Sequence, residues 1–143
     1  MNKTITGSRP VPEGYTELKG SAPFTVSNGP FYEKVIDGQT VIRGFRVEAR
    51  HLNSLKLMHG GMMMTFADSA LARTVIHGTG RRCVTIKMSS EFLSPAREGD
   101  WVEAHAEVIR STRTIAFVRG DFRVGSKTIF KADGLFQYVN ARK

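Results

Sequence analysis

HGGMMMTFADSALARTVIHG, residues 59–78, decides the fold. Met63, Phe66, Ala67, Ala70, Leu71, Thr74 and Val75 recur at the spacing that lines one face of an α-helix. His77-Gly78 reads as the stop, a potentially cationic residue in the last turn followed by a glycine able to take a left-handed cap. The other faces are apolar as well, with Met62, Met64, Ala72 and Ile76. A helix apolar nearly all round is buried nearly all round. One sheet of five or six strands wraps only part of such a helix. The remainder is expected to meet a second copy of the chain, because burying a symmetric patch against itself is the commonest route to a dimer.

The segments on either side supply that sheet. Phe31–Ile36 and Thr40–Val47 are β-rich, and Asp37-Gly38 between them is a strong hairpin signal. Beyond residue 100, Val102, Ala104, Ala106 and Val108 alternate with polar residues, as a half-buried strand requires. Ala116, Val118, Phe122 and Val124 form the next stripe, and Phe130, Ala132, Phe136 and Tyr138 the last. Gly125-Ser126 between those two suits a type II′ turn. Long strands joined by tight turns imply an antiparallel meander. The fold class is therefore α+β, an antiparallel sheet of five or six strands around one long central helix. Residues 1–30 hold four of the five prolines and read as an N-terminal arm, with one short helix near Tyr15–Lys19. Residues 31–143 read as a single domain.

A chain of 143 residues is long enough for one hydrophobic core. Its longest apolar runs are far short of the roughly 20 residues that span a bilayer. MNKTITGSRPVPEG at the N-terminus has no apolar signal region, and the one cysteine, Cys83, cannot form an internal disulfide. A reduced, cytoplasmic domain is expected. There are 21 Lys and Arg against 13 Asp and Glu, a formal charge of +8. No basic run exceeds two residues, and aromatic and basic residues do not interleave as in RNA-binding sheets. That pattern argues against nucleic acid and favours a small polyanion or plain solubility charge.

Asp68 is the only acid between Asn53 and Ser90, and it lies mid-helix among apolar residues. Burying a carboxylate is costly unless it is paired, and burial moves it toward the range of a general base. A solvent-facing notch, or pairing with Arg73 or Arg81, is the structural alternative. His59-Gly60-Gly61 opens the same helix, where free N–H groups carry the positive end of the dipole and suit a polarised carbonyl or an oxyanion. Other hydrolytic machinery is missing from the chain. There is no GxSxG elbow. The histidines are not at helical zinc-pair spacing.

The stretch Asn53–Val75, NSLKLMHGGMMMTFADSALARTV, resembles the hotdog-fold acyl-CoA thioesterases, in particular the phenylacetate-degradation-type branch. Asn53, His59-Gly60-Gly61 and Asp68 match that branch's spacing, and FLSPAREGD (Phe92–Asp100) resembles its strand end. The resemblance implies an acyl-CoA thioester hydrolase with no cofactor, coenzyme A being part of the substrate. It implies a homodimer, or a tetramer of two dimers, with active sites at the seam. Gly60, with Gly61, would hold the thioester carbonyl, and Asp68 from the partner subunit would activate water or attack directly. Asn53 and His59 would position the reacting groups, Thr85 would place a hydroxyl near the acid, and Met64 would line the acyl pocket. Arg113 and Thr114 would touch the coenzyme A nucleotide. Lys56 stands where relatives commonly have glycine, which implies a different loop path or a new charge near the pocket mouth. Two further readings accompany the same fold, a non-catalytic acyl-CoA-binding domain and a hotdog hydratase or dehydratase.

Overall fold

A computed structural model describes residues 9–19 and 22–140. Seven strands form one antiparallel sheet: β1 Thr16–Glu17, β2 Tyr32–Val35, β3 Val41–Arg46, β4 Cys83–Phe92, β5 Trp101–Ser111, β6 Ile115–Val124 and β7 Lys127–Tyr138. Their order across the sheet is β1-β2-β3-β5-β6-β7-β4. A short helix, α1 Pro23–Asn28, precedes β2, and the long helix, α2 Gly60–Thr79, runs between β3 and β4. This is the hotdog arrangement, with the sheet curled around α2.

The alternating stripes fold as their period requires. Val102, Ala104, Ala116, Val118, Phe122, Phe130, Ala132 and Phe136 are buried on the inner face of the sheet. Phe66, Leu71 and Val75 of α2 meet them with no exposed surface. At roughly 1.5–3 kcal/mol per fully buried large apolar side chain, this layer dominates the favourable side of folding. Aromatic rings brace one another along it: Phe66 lies 4.6 Å from Phe45 and 5.9 Å from Phe122. Gly125 takes φ +59° in the β6–β7 turn, and Val124 pairs with Lys127 across the two central residues.

Three boundaries differ from the sequence reading. The helix passes through His77-Gly78 and stops at Gly80, which takes the left-handed cap at φ +71° and donates its N–H to Ile76 O at 2.8 Å. Gly78 lies inside the last turn, and Thr79 after it bonds Val75 O through its hydroxyl at 2.7 Å. Tyr15–Lys19 is not a helix. Thr16 and Glu17 instead pair with Glu33 and Tyr32, and Leu18 N–H bonds Phe31 O, so this piece extends the sheet at the β2 edge. The short helix lies further on, opened by Pro23, whose fixed φ suits a first turn. The sheet has seven strands because that two-residue β1 joins the six expected.

Candidate active site

The loop before α2 is tied down residue by residue. Asn53 Oδ1 accepts the N–H of Leu55 at 2.9 Å and of Leu57 at 3.2 Å. Lys56 N–H bonds Asn53 O at 3.0 Å, and Lys56 takes φ +63°. Lysine thus bears here a left-handed conformation that favours glycine, in a turn closed by Asn53. Asn53 organises this turn through its oxygen; its Nδ2 has no partner among the described residues.

His51, which sequence reasoning passed over except in excluding zinc, holds the other side of the loop. It is buried, 4% exposed, and closes a 3-10 turn at Ala49–His51. Glu48 N–H donates to its Nδ1 at 3.0 Å, and Nε2–H donates to Asn28 O at 2.8 Å, which together define one neutral tautomer. Burial, reinforced by the charge of Arg50, holds its pKa below the usual imidazole value despite the Asn28 contact. The His51 carbonyl then accepts the His59 N–H at 2.8 Å, fixing the residue that opens α2.

His59 is the N-cap of α2. Its Nδ1 accepts the Gly61 N–H at 2.7 Å, and its carbonyl takes the N–H groups of Met62 and Met63. With the His59 N–H on His51 O, three of the four donors the first turn leaves unpaired are satisfied, and Met63 makes the first regular helix bond. The Gly60 N–H has no partner among the described residues and sits at the positive end of the dipole. Gly60 and Asn53 share a cavity of about 310 Å³ with Leu57, Met58, Met63, Phe92 and Ile129. It is mainly apolar, with a free donor at its wall. Met64, the residue after Met63, is half-buried against the core and does not line this cavity.

Asp68 stands elsewhere on α2. Eight residues at ~1.5 Å rise put it roughly 12 Å along the helix axis from Gly60. It is half-buried within the single chain, and Thr85 of β4 donates its hydroxyl to Asp68 Oδ1 at 2.5 Å. Neither arginine weighed as its partner reaches it. Arg73 binds Glu33 through two nitrogens, at 2.9 and 3.2 Å, and Arg81 donates to Arg113 O while stacking 3.6 Å over Tyr138. The β-bulge between Thr85 and Lys87 interrupts the pairing with β7 beside this hydroxyl, the kind of irregularity that re-aims side chains near sites. Arg113 and Thr114 lie beyond the C-terminal end of α2, sharing a polar recess with Arg81, Gln137, Tyr138 and Asn140. Cys83, near the same face, has its thiol pKa pushed up by burial and by the Asp68 charge. Among the described residues no group of three His, Cys, Asp or Glu is placed to hold a metal ion.

One chain thus brings Asn53, His59, Gly60 and Gly61 together at one end of α2. It pairs Asp68 with Thr85 on its flank and collects Arg113 and Thr114 at the other end.

A helix opened by two glycines, wrapped by a sheet and carrying one flanking acid defines a thioesterase-type hotdog. The thioesterase superfamily model matches residues 55–130, more than half of the chain, and the protein belongs to that family. A Pseudomonas aeruginosa protein that bears the name "putative esterase" is 30% identical over 128 residues, 88% of this chain and 96% of that one. Acyl-coenzyme A thioesterase 13 of Mus musculus is 26% identical over 101 residues, covering 64% of this chain and 72% of its own. Among solved structures, the PaaI protein from the phenylacetic acid degradation operon of E. coli superposes with a TM-score of 0.76 at 21% identity, covering 82% of this chain and 86% of that one. A Streptococcus mutans protein solved with acetyl-CoA bound gives 0.71 at 23% identity, covering 78% and 90%.

Proposed function

We propose that the protein hydrolyses an acyl-CoA thioester to the free acid and coenzyme A, in an active site built from two copies of the chain. The observation that carries this reading is the separation of the two chemical groups. Gly60, whose N–H has no partner among the described residues, lines an apolar cavity, and Asp68 with Thr85 lies two turns along the same helix. Neither completes a hydrolytic site alone. A second chain packed in antiparallel fashion along α2 and β4 would set Asp68 of the partner subunit opposite Gly60.

In that arrangement the thioester carbonyl oxygen accepts the Gly60 N–H, and the helix dipole favours the charge that develops there. Asp68 of the partner subunit, oriented by Thr85, takes a proton from water as the water oxygen adds to the carbonyl carbon. The tetrahedral intermediate then expels the sulfur, which leaves with that proton, and the C–S bond breaks. Gly61 takes no part while its N–H is bound to His59 Nδ1; its role is to let the cap form. Asn53 and His59 act as positioning residues for the loop and the helix start. Direct attack by Asp68 through an anhydride uses the same geometry. The sequence requires no cofactor. Arg81 and Arg113, with Thr114, are suited to the phosphates of coenzyme A, and the acetyl-CoA bound to the Streptococcus mutans relative supports a ligand of that class. The reading includes a homodimer, doubling to a tetramer, and a cytoplasmic setting; no helix described is long and apolar enough to cross a membrane.

The test is release of free thiol from acetyl-, octanoyl-, palmitoyl- and phenylacetyl-CoA by the natural chain, Asp68→Ala and Asp68→Asn. Turnover of at least one substrate, falling by about a hundredfold or more in both variants with their assembly unchanged, is the expected result. No thiol release beside tight acyl-CoA binding would transfer the assignment to a non-catalytic binding domain.

A further inference from the structure

We infer that Phe92 is the specificity-determining residue of this site, its ring limiting the acyl group that can enter beside Gly60; the inference rests on the acyl-CoA reading above. Phe92 ends β4 and is 59% exposed, so it is not a core residue. It is nevertheless held in place. Its ring meets Phe130 edge-on at 4.9 Å, and Phe130, fully buried, is braced by Phe122 at 5.2 Å. The backbone just after it is pinned, with the N–H groups of Leu93 and Ser94 both donating to Ile129 O, at 2.9 and 3.1 Å.

What the ring touches on its other side is the helix start. A Cβ placed on Gly60 would lie 3.3 Å from Phe92 Cε1 and 3.5 Å from Cζ. The ring edge therefore stands directly beside the residue whose N–H is free. It is also part of the cavity wall that continues to Met58, Met63 and Ile129. A carbonyl seated on the Gly60 N–H has its acyl carbons at that wall. Met58 and Met63 are flexible and adapt to different shapes. Phe92 is a planar ring backed by the buried Phe130 and has no flexible chain to fold back, so it is the element of the wall that excludes.

Chain-length profiles of kcat/KM, from acetyl- to palmitoyl-CoA, are compared for the natural chain, Phe92→Ala, Phe92→Leu and Phe92→Trp. The affinities of the matching S-alkyl-CoA thioethers, which cannot be hydrolysed, are measured alongside. Phe92→Ala should raise the ratio of longest to shortest acyl group by about tenfold or more, the size of effect a few methylenes have in an apolar pocket. Phe92→Leu should follow in the same direction, and Phe92→Trp should lower the ratio. Phe117→Ala, on the outer face of the sheet, should leave the profile as it was. Unchanged profiles in the Leu and Trp variants, in both readouts, would overturn the inference. If the natural chain releases no thiol, the hydrolase reading falls, and the thioether affinities still decide the role of Phe92.

Discussion

Lys56 shows what a single backbone position costs. A left-handed conformation is worth about 1–2 kcal/mol against a side-chain-bearing residue, whereas glycine's extra freedom in the unfolded chain costs roughly 0.5–1. Lys56→Gly should therefore stabilise the protein by about 0.5–1 kcal/mol in urea unfolding, and a destabilised variant would mean that the lysine side chain makes a compensating contact. His51 makes a pH-dependent contribution. Its folded pKa is depressed by burial, so the folded state binds fewer protons than the unfolded chain, where imidazole titrates near ~6.5. The stability it supplies is complete above that value and is lost as pH falls through the folded pKa. Unfolding free energies measured between pH 7.5 and about 5.5 should decline toward acid, and His51→Gln, which keeps a donor and an acceptor, should flatten that slope. His51 was not legible as a structural residue, because a histidine in a polar loop gives no periodic signal and its partners, Asn28 and Glu48, are set by tertiary placement.

At the scale of elements, strands and helix were legible where two faces differ. The stripe from Met63 to Val75 is buried as its spacing requires, and the alternation in β5, β6 and β7 resolves into an inner face and an outer one. A strand that lacks that contrast is legible from its place after the helix and not from a stripe. β4 is an edge strand, exposed at Val84, Ile86 and Phe92 and broken by a bulge, so its periodicity is not that of a half-buried strand. The strand glycines carry information that hydropathy does not. A Cβ at Gly134 would fall 2.6 Å from Phe136 Cε2 and 3.3 Å from Leu71 Cδ1, both on fully buried side chains that cannot move aside. Gly120 faces the same Leu71 at 3.0 Å. These glycines let α2 approach the sheet. Gly134→Ala should overpack this contact and cost about 1–3 kcal/mol by chemical denaturation. Charged groups fasten the opposite flank of α2. Burial alone would raise the Glu33 carboxyl, but hydrogen bonding and charge from Arg73, with the charge of Arg43, hold it below the usual range. Arg43, pushed down to about 10 chiefly by burial, donates to Ser69 O at 3.3 Å and to Ser69 Oγ.

For the whole molecule, the two halves of the proposed chemistry can be disabled separately. Gly60 is the first helical residue, where proline is favoured and where the missing N–H breaks no bond. His59 before it has φ −62° and ψ 135°, the extended conformation a following proline requires. A Cβ at Gly60 would stand 3.3 Å from the ring of Phe92, which is exposed enough to yield. Gly60→Pro should therefore fold, remove the proposed oxyanion donor and lower kcat by about a hundredfold to a thousandfold. Asp68→Asn removes the proposed base and leaves Gly60 intact. If each site takes Gly60 from one subunit and Asp68 from the other, a heterodimer of the two variants has one site with both lesions and one with neither. Random re-pairing of equal amounts by co-refolding should then recover about a quarter of the natural activity, half the dimers being mixed and half their sites sound. If each site were built within a single chain, every site in the mixture would carry one lesion, and activity would stay at the level of the separate variants. One variant carries an affinity tag, so that mixed dimers are separated from the two homodimers and counted, and failure to re-pair is seen directly as the absence of the mixed species.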